Sequence, residues 1–236
     1  MNEREAAPNA IVTGASRGLG FELAKALAEQ GWRLVVDARG ADALEAAAGQ
    51  LRGAGEVIAL PGDVADERHR RDLVAAAGER IDLLVNNASV LGPSPQPALA
   101  DYPLPELERV YQVNVLAPLA LAQLTLPHLS DGAAILNITS DAGAEAYEGW
   151  GGYGSSKAAL EQLSAILAAE HPDVRIYAVD PGDMRTQMHQ EAFPGEDISA
   201  RPPPSASVPG LLTLIEGELP SGRYRATDLV PAPSAS

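Results

Sequence analysis

Residues 10–20 read AIVTGASRGLG. A short apolar run passes into a glycine-rich turn and then into the Ala/Leu-rich stretch 18–30. The run fits a strand and the stretch after it a helix. Glycines at 14, 18 and 20 permit a tight turn, and they let backbone N–H groups approach a pyrophosphate at the helix N-terminus. The spacing is Gly-x-x-x-Gly-x-Gly, not the commoner Gly-x-Gly-x-x-Gly of dinucleotide sites. Such a turn alone is ordinary. Its place between the first strand and the first helix makes it a phosphate-site candidate.

The same alternation continues outward. Strands are expected at 10–13, 33–38, 56–61, 82–86, 133–139 and 174–179. Helices are expected at 18–30, 42–52, 66–78, 106–129 (which contains Pro118) and 153–169. The strands are short, β-branched and almost continuously apolar, as in a parallel sheet covered on both faces. The expected fold is therefore a single α/β domain: a doubly wound parallel β-sheet with helices on both faces, a Rossmann fold. Residues 91–105 are proline-rich and read as an irregular loop. Residues 183–209 are polar, carry Pro202, Pro203 and Pro204 in a row, and read as a mobile loop or lid. The tail from Ala226 is rich in Ala, Pro and Ser and reads as disordered.

Composition narrows the function. With 236 residues and 46% hydrophobic content, the chain can build a real core without a staple. It has no cysteine, which removes disulfides and thiolate metal sites, and its four histidines show no ligand spacing, so no metal is expected. A formal net charge of −15 makes nucleic acid and anionic membrane poor partners. No run reaches membrane-spanning length and residues 1–9 lack a signal-peptide core, so a cytoplasmic location is expected. Only two of 17 basic residues are lysines, Lys25 and Lys157, so a lysine in a chemically meaningful place carries extra weight.

Read together, these motifs resemble the short-chain dehydrogenase/reductase family over roughly residues 10–186. The turn TGASRGLG is similar to that family's cofactor turn, which implicates Gly14, Ser16, Arg17, Gly18, Leu19 and Gly20 in cofactor binding. Asp63-Val64 looks like its adenine-contacting pair. Asn86-Asn87-Ala88-Ser89 is similar to its Asn-Asn-Ala-Gly motif, with Ser89 in place of glycine, and implicates Asn87. Ser140, Tyr153 and Lys157 fall on its catalytic Ser and Tyr-x-x-x-Lys positions, and Asn114 on its helix asparagine. Asn114 thereby resembles a residue that holds a water linking Lys157 to solvent. Pro181-Gly182, Met184 and Thr186 fit the segment over the nicotinamide. Beyond Thr186 the pattern departs: residues 221–226 are the nearest candidate for a seventh strand. The family implies a homo-oligomer, dimer or tetramer, and this atypical end bears on the tetramer.

The residues support that chemistry independently. Tyr153 and Lys157 are four apart on one helix and share a face. Bringing a phenol from a pKa of about 10 to neutrality takes roughly three units, or about 4 kcal/mol of preference for the phenolate. A nearby ammonium and an oxidised nicotinamide both act in that direction. Ser140, at the end of a strand, can hydrogen-bond a substrate oxygen as charge develops on it.

The expected function is reduction of a ketone or aldehyde carbonyl with NADP(H), with Tyr153 as general acid. The alternatives are an NAD-dependent alcohol dehydrogenase of the same family and a non-catalytic dinucleotide-binding sensor. Arg39 follows the second strand and Arg17 sits in the turn, an arrangement suited to a 2′-phosphate. Asp37 is the competing reading, as a ribose-binding carboxylate in an NAD enzyme. Leu91, Trp150, Met188 and Phe193 make the expected substrate walls apolar, which suits a bulky small-molecule ketone. Substrates on acidic carrier proteins suit the chain less, because residues 183–197 hold Asp183, Glu191, Glu196 and Asp197 against Arg185 alone.

Overall fold

The computed structural model describes residues 7–230. Seven strands form one sheet in the order β3-β2-β1-β4-β5-β6-β7, and every pairing is parallel. They are β1 (Asn9–Val12), β2 (Arg33–Ala38), β3 (Val57–Pro61), β4 (Ile81–Asn86), β5 (Leu129–Ile138), β6 (Arg175–Asp180) and β7 (Gly222–Arg225). The helices are α1 (Gly18–Glu29), α2 (Ala41–Leu51), α3 (Glu67–Ala77), α4 (Leu104–Tyr111), α5 (Ala117–Thr125), α6 (Gly151–Glu170), α7 (Gln187–Ala192) and α8 (Val208–Glu216). The order reverses between β1 and β4, where a doubly wound sheet opens a crevice at its carboxyl edge. No helix among the described residues is long and apolar enough to cross a membrane.

Alternation along the strands explains the continuous apolar runs. Ala10 and Val12, Leu34 and Val36, and Leu83 and Val85 pack with α1, α2 and α8. Ile11, Val35 and Leu84, which point the other way, pack with α3 and α5. Both faces are dry, so neither needed polar residues. On β2 this alternation sends Val35 and Asp37 toward α3 and leaves Ala38 on the opposite face.

The structure corrects several expectations. The helix expected at 106–129 is divided: α4 passes into a π-helical turn, Gln112–Leu116, and then into α5. Pro118 does not end it: it falls in the first turn of α5, directly after the π-helical turn, and the backbone stays helical across it. β5 begins at Leu129, with a register shift against β4 between Ile81 and Leu83 and Gly132 at φ +74° between the two paired stretches. Helix α8 has no counterpart among the expected elements.

Residues 183–209 are not structureless. Thr186 Oγ1 caps α7 by accepting from His189 N at 3.1 Å, and buried Ser207 donates from Oγ to the Pro181 carbonyl at 2.7 Å. Ala226–Leu229 forms a 3₁₀ turn whose Ala226 is fully buried beneath α8, so no disordered tail starts at Ala226. The rest of that expected tail, residues 231–236, lies outside the described residues.

Candidate active site

The glycine turn is braced from β4. Thr13 Oγ1 donates to the Val85 carbonyl at 3.1 Å and accepts from the Asn87 and Ala88 N–H groups at 3.0 Å each. Asn87 Nδ2 donates to the Thr13 and Gly14 carbonyls at 2.8 and 3.2 Å. Gly14 and Gly18 have φ of +68° and +61°, a region L side chains avoid. Arg17, at the N-cap of α1, gives no side-chain cap, so the first N–H groups of a twelve-residue helix have no side-chain acceptor. Gly20 fails to line the cleft as expected of a cofactor contact; its missing Cβ makes room for Asn87 Nδ2 and the Gly14 carbonyl. Gly20→Ala is expected to cost about 1–3 kcal/mol through overpacking and to weaken cofactor binding. Urea unfolding and a cofactor titration would check this; unchanged stability would show that the turn tolerates the shift.

A cleft of about 960 Å³ opens over this turn. It gathers Gly14, Ser16, Arg17, Gly18 and Leu19 with Arg39, Asp63, Val64, Asn87, Tyr153, Lys157, Pro181, Met184 and Thr186. A smaller pocket of about 100 Å³ adjoins it and takes in Ser140 and Gly182, sharing Tyr153, Pro181, Met184 and Thr186. Asn114 lines neither and lies buried behind them.

Charges in the cleft are unevenly committed. Arg17 and Arg39 are exposed, and neither guanidinium has a hydrogen-bond or ion-pair partner among the described residues. Asp37 is 1% exposed and engaged through both oxygens: Oδ1 accepts from Gly14 N at 2.7 Å and Oδ2 meets His69 Nε2 at 3.0 Å. Asp63 is paired with Arg109 and accepts from Ala65 N. Burial works against its ionisation, but Ala65 N–H, Arg109 and Arg39 outweigh that and hold the carboxyl below its usual range. A glycine cradle, an uncapped helix N-terminus and two unpaired guanidiniums fit a phosphorylated dinucleotide.

Beside the cleft, Tyr153 and Lys157 lie in successive turns of α6, both buried. Lys157 Nζ donates to the Ile138 carbonyl at 2.8 Å and sits 5.4 Å from the centre of the Tyr153 ring. Burial pulls the ammonium down to about 7, against a smaller opposing pull from Glu161. Burial also pushes the Tyr153 phenol up, helped by Asp141 and Asp180, while the Ser89 and Ser140 hydroxyls act to lower it. In the free protein burial governs both groups, and the phenol stays above its ordinary range. The desolvation that makes the site dry disfavours both charges.

Because Lys157 is held near 7, it is largely neutral in the free protein at about pH 8, and nearby anionic phosphates would restore its charge. Binding of reduced cofactor at about pH 8 is therefore expected to take up a proton. Calorimetry in buffers of different ionisation enthalpy measures that uptake. It should vanish in Lys157→Met, and buffer-independent heats in the native protein would contradict it.

Ser140 Oγ donates to Asp141 Oδ1 at 2.9 Å, and Asp141 Oδ2 accepts from Tyr147 Oη at 3.2 Å. The Asn114 side chain is anchored at both ends. Its Oδ1 accepts from Val90 N at 2.9 Å and Ser89 Oγ at 3.1 Å, and its Nδ2 donates to the Val90 carbonyl at 2.9 Å and Ser156 Oγ at 3.0 Å. That spends all four of the side-chain amide's usual capacities. Leu91, Ala142 and Tyr153 cluster with Trp150, Met188 and Ala192 into an apolar wall. Trp150 stands 5.8 Å from both Tyr153 and Phe193, centre to centre.

Sequence reasoning gave no role to Arg109 or Ser89, and placed Asp141 only at the edge of an expected pocket wall, residues 141–152. Only Ser89 carried a signal, as a hydroxyl where the resembled family has glycine.

The family model for short chain dehydrogenase matches residues 8–197. The chain is 39% identical over 214 residues to the rhamnolipids biosynthesis 3-oxoacyl-[acyl-carrier-protein] reductase of Pseudomonas aeruginosa, covering 85% of this chain and 81% of that protein. A short chain dehydrogenase from Pseudomonas syringae superposes with a TM-score of 0.87 at 30% identity, covering 93% and 94% of the two chains. Another from Shigella flexneri 2a, solved in complex with NADP, superposes with a TM-score of 0.84 at 28% identity, covering 93% and 96%. With its parallel seven-stranded sheet and its matched motifs, the chain belongs to the short-chain dehydrogenase/reductase family of oxidoreductases acting on CH–OH and C=O groups.

Proposed function

We propose that this protein is an NADP(H)-dependent carbonyl reductase that converts a bulky, apolar ketone or aldehyde to its alcohol. The observation that carries the cofactor assignment is the contrast between Arg39, exposed and unpaired at the cleft, and Asp37, buried beneath the glycine turn. Asp37 also borders the cleft, but both its oxygens already hold partners of the turn's underside, Gly14 N and His69, whereas the Arg39 guanidinium has no partner among the described residues. NADP in the Shigella relative agrees with this reading. The Pseudomonas aeruginosa relative is named as a reductase of a 3-oxo group, which is a ketone.

The cofactor would lie over the glycine turn, with its 2′-phosphate toward Arg39 and Arg17 and Lys157 toward a ribose. Bound there, it supplies the hydride. The chain supplies the rest. Ser140 holds the substrate oxygen, which requires its O–H to turn away from Asp141. Tyr153 donates the proton, its phenol being protonated in the free protein. The wall of Leu91, Trp150 and Met188 would take the apolar part of the substrate, with residues 183–209 closing over it. Kinetics with NADPH and NADH against a panel of bulky ketones tests the assignment, as argued for Arg39 below.

A further inference from the structure

We propose that His189 determines specificity in the substrate pocket, its imidazole donating a hydrogen bond to a second, uncharged oxygen of the ketone, a hydroxyl or carbonyl a few bonds from the reacting one. This rests on the reading of the site as a carbonyl reductase. It narrows the substrate from a bulky apolar ketone to an oxygenated one.

The imidazole is fixed in place but has no partner. His189 lies in the first turn of α7, where its N–H donates to Thr186 Oγ1 at 3.1 Å and its carbonyl accepts from Phe193 N at 3.1 Å. Its ring stands 4.9 Å from that of Phe193, centre to centre, and Phe193 leads through Trp150 to Tyr153 in steps of 5.8 Å. The side chain is only 11% exposed, yet neither ring nitrogen makes a hydrogen bond among the described residues. Asp183 Oδ1 is 4.0 Å from Nδ1, too far for one, and Asp183 Oδ2 is taken by Arg201 at 2.7 Å. An imidazole carries at least one N–H donor in either protonation form, and a donor so nearly buried normally has an acceptor.

The pocket says where that acceptor comes from. His189 borders the same space of about 100 Å³ as Ser140 and Tyr153. A space this small holds only a few non-hydrogen atoms, so a group that meets His189 belongs to the part of the substrate beside the reacting carbonyl. Leu91, Met184, Met188 and Ala192 supply an otherwise apolar lining on the lid side. Charge decides which oxygen fits. Asp141, Asp180 and Asp183 also line the pocket, and no lysine or arginine does. Asp180 and Asp183 are paired with Arg225 and Arg201, whereas Asp141 has no cation among the described residues. A substrate carboxylate would therefore meet like charge, and a hydroxyl or carbonyl would not.

The test compares propiophenone with its α-hydroxy, β-hydroxy and α-oxo derivatives and with the matching keto acid, each with NADPH. In the native protein the best uncharged oxygenated ketone should exceed both propiophenone and the keto acid by at least about tenfold in kcat/KM. His189→Phe keeps a ring against Phe193 and removes the donor. It should lose about tenfold on the oxygenated ketone and leave propiophenone and KM for NADPH unchanged. Equal losses on all the ketones, or a loss that falls on KM for NADPH, would overturn the assignment. Calorimetric binding of the same ketones to the NADP complex gives a readout without turnover. If no ketone is reduced, the carbonyl-reductase reading fails, and the binding difference between native protein and His189→Phe still decides on His189: a difference confined to the oxygenated ketones supports it, and none overturns it.

Discussion

Tyr153→Phe is expected to lower turnover by about 10²-fold or more while leaving the fold and NADPH affinity nearly intact. The ring packs against Trp150 at 5.8 Å and within the cluster of Leu91 and Ala142, and phenylalanine preserves those contacts. Only the hydroxyl is lost. No other phenol occupies the site: Tyr102 is buried with its hydroxyl against Gly92 and Gly152, and Tyr147 is engaged by Asp141 and Glu145. Lys157→Ala should differ in kind, raising KM for the cofactor as well as lowering kcat. Steady-state kinetics on an established ketone separates the two patterns. Near-normal turnover by Tyr153→Phe would remove Tyr153 from the mechanism.

Arg39→Ala should erase most of a preference for NADPH over NADH that we expect to be at least tenfold in kcat/KM, about 1.4 kcal/mol. A 2′-phosphate carries close to two negative charges, and a guanidinium with no other partner can pair with it in bidentate fashion. The loss should fall on NADPH and spare NADH. Arg17→Ala should act in the same sense, from the other side of the turn. Asp37→Asn supplies the contrast: it disturbs Gly14 and His69 beneath the turn, so it should weaken both cofactors alike. A loss confined to NADH in Asp37→Asn would mean that Asp37 reaches the ribose.

Much of this site is legible in the sequence because each element ends in residues that no core would select. Thr13-Gly14, Asp63-Val64, Asn86-Asn87 and Ser140 each follow an apolar strand, and a parallel sheet puts those ends on one edge. The register on β2 was legible for the same reason. With Val35 facing α3, Asp37 must face it too, and His69 meets it there.

What was not legible depends on contacts between distant segments. The π-turn at Gln112–Leu116 keeps an apolar, helix-like pattern, and within it Asn114 is anchored inward by Val90 and Ser156. Helix α8 follows a proline cluster, and its Gly210 is required by the Ala226 carbonyl lying against it. The raised phenol of Tyr153 could not be read from Lys157 at four-residue spacing, because burial acts on both groups and spacing does not report burial.

The most direct measurement of the central claim is label transfer. The protein is incubated with NADPH deuterated at nicotinamide C4 and a panel of bulky ketones, and the products are read by mass spectrometry. We expect deuterium on the carbinol carbon of at least one alcohol with the native protein, and far less with Tyr153→Phe. Tight NADPH binding with no labelled alcohol from any ketone or aldehyde would contradict the account and point to a dinucleotide-binding sensor.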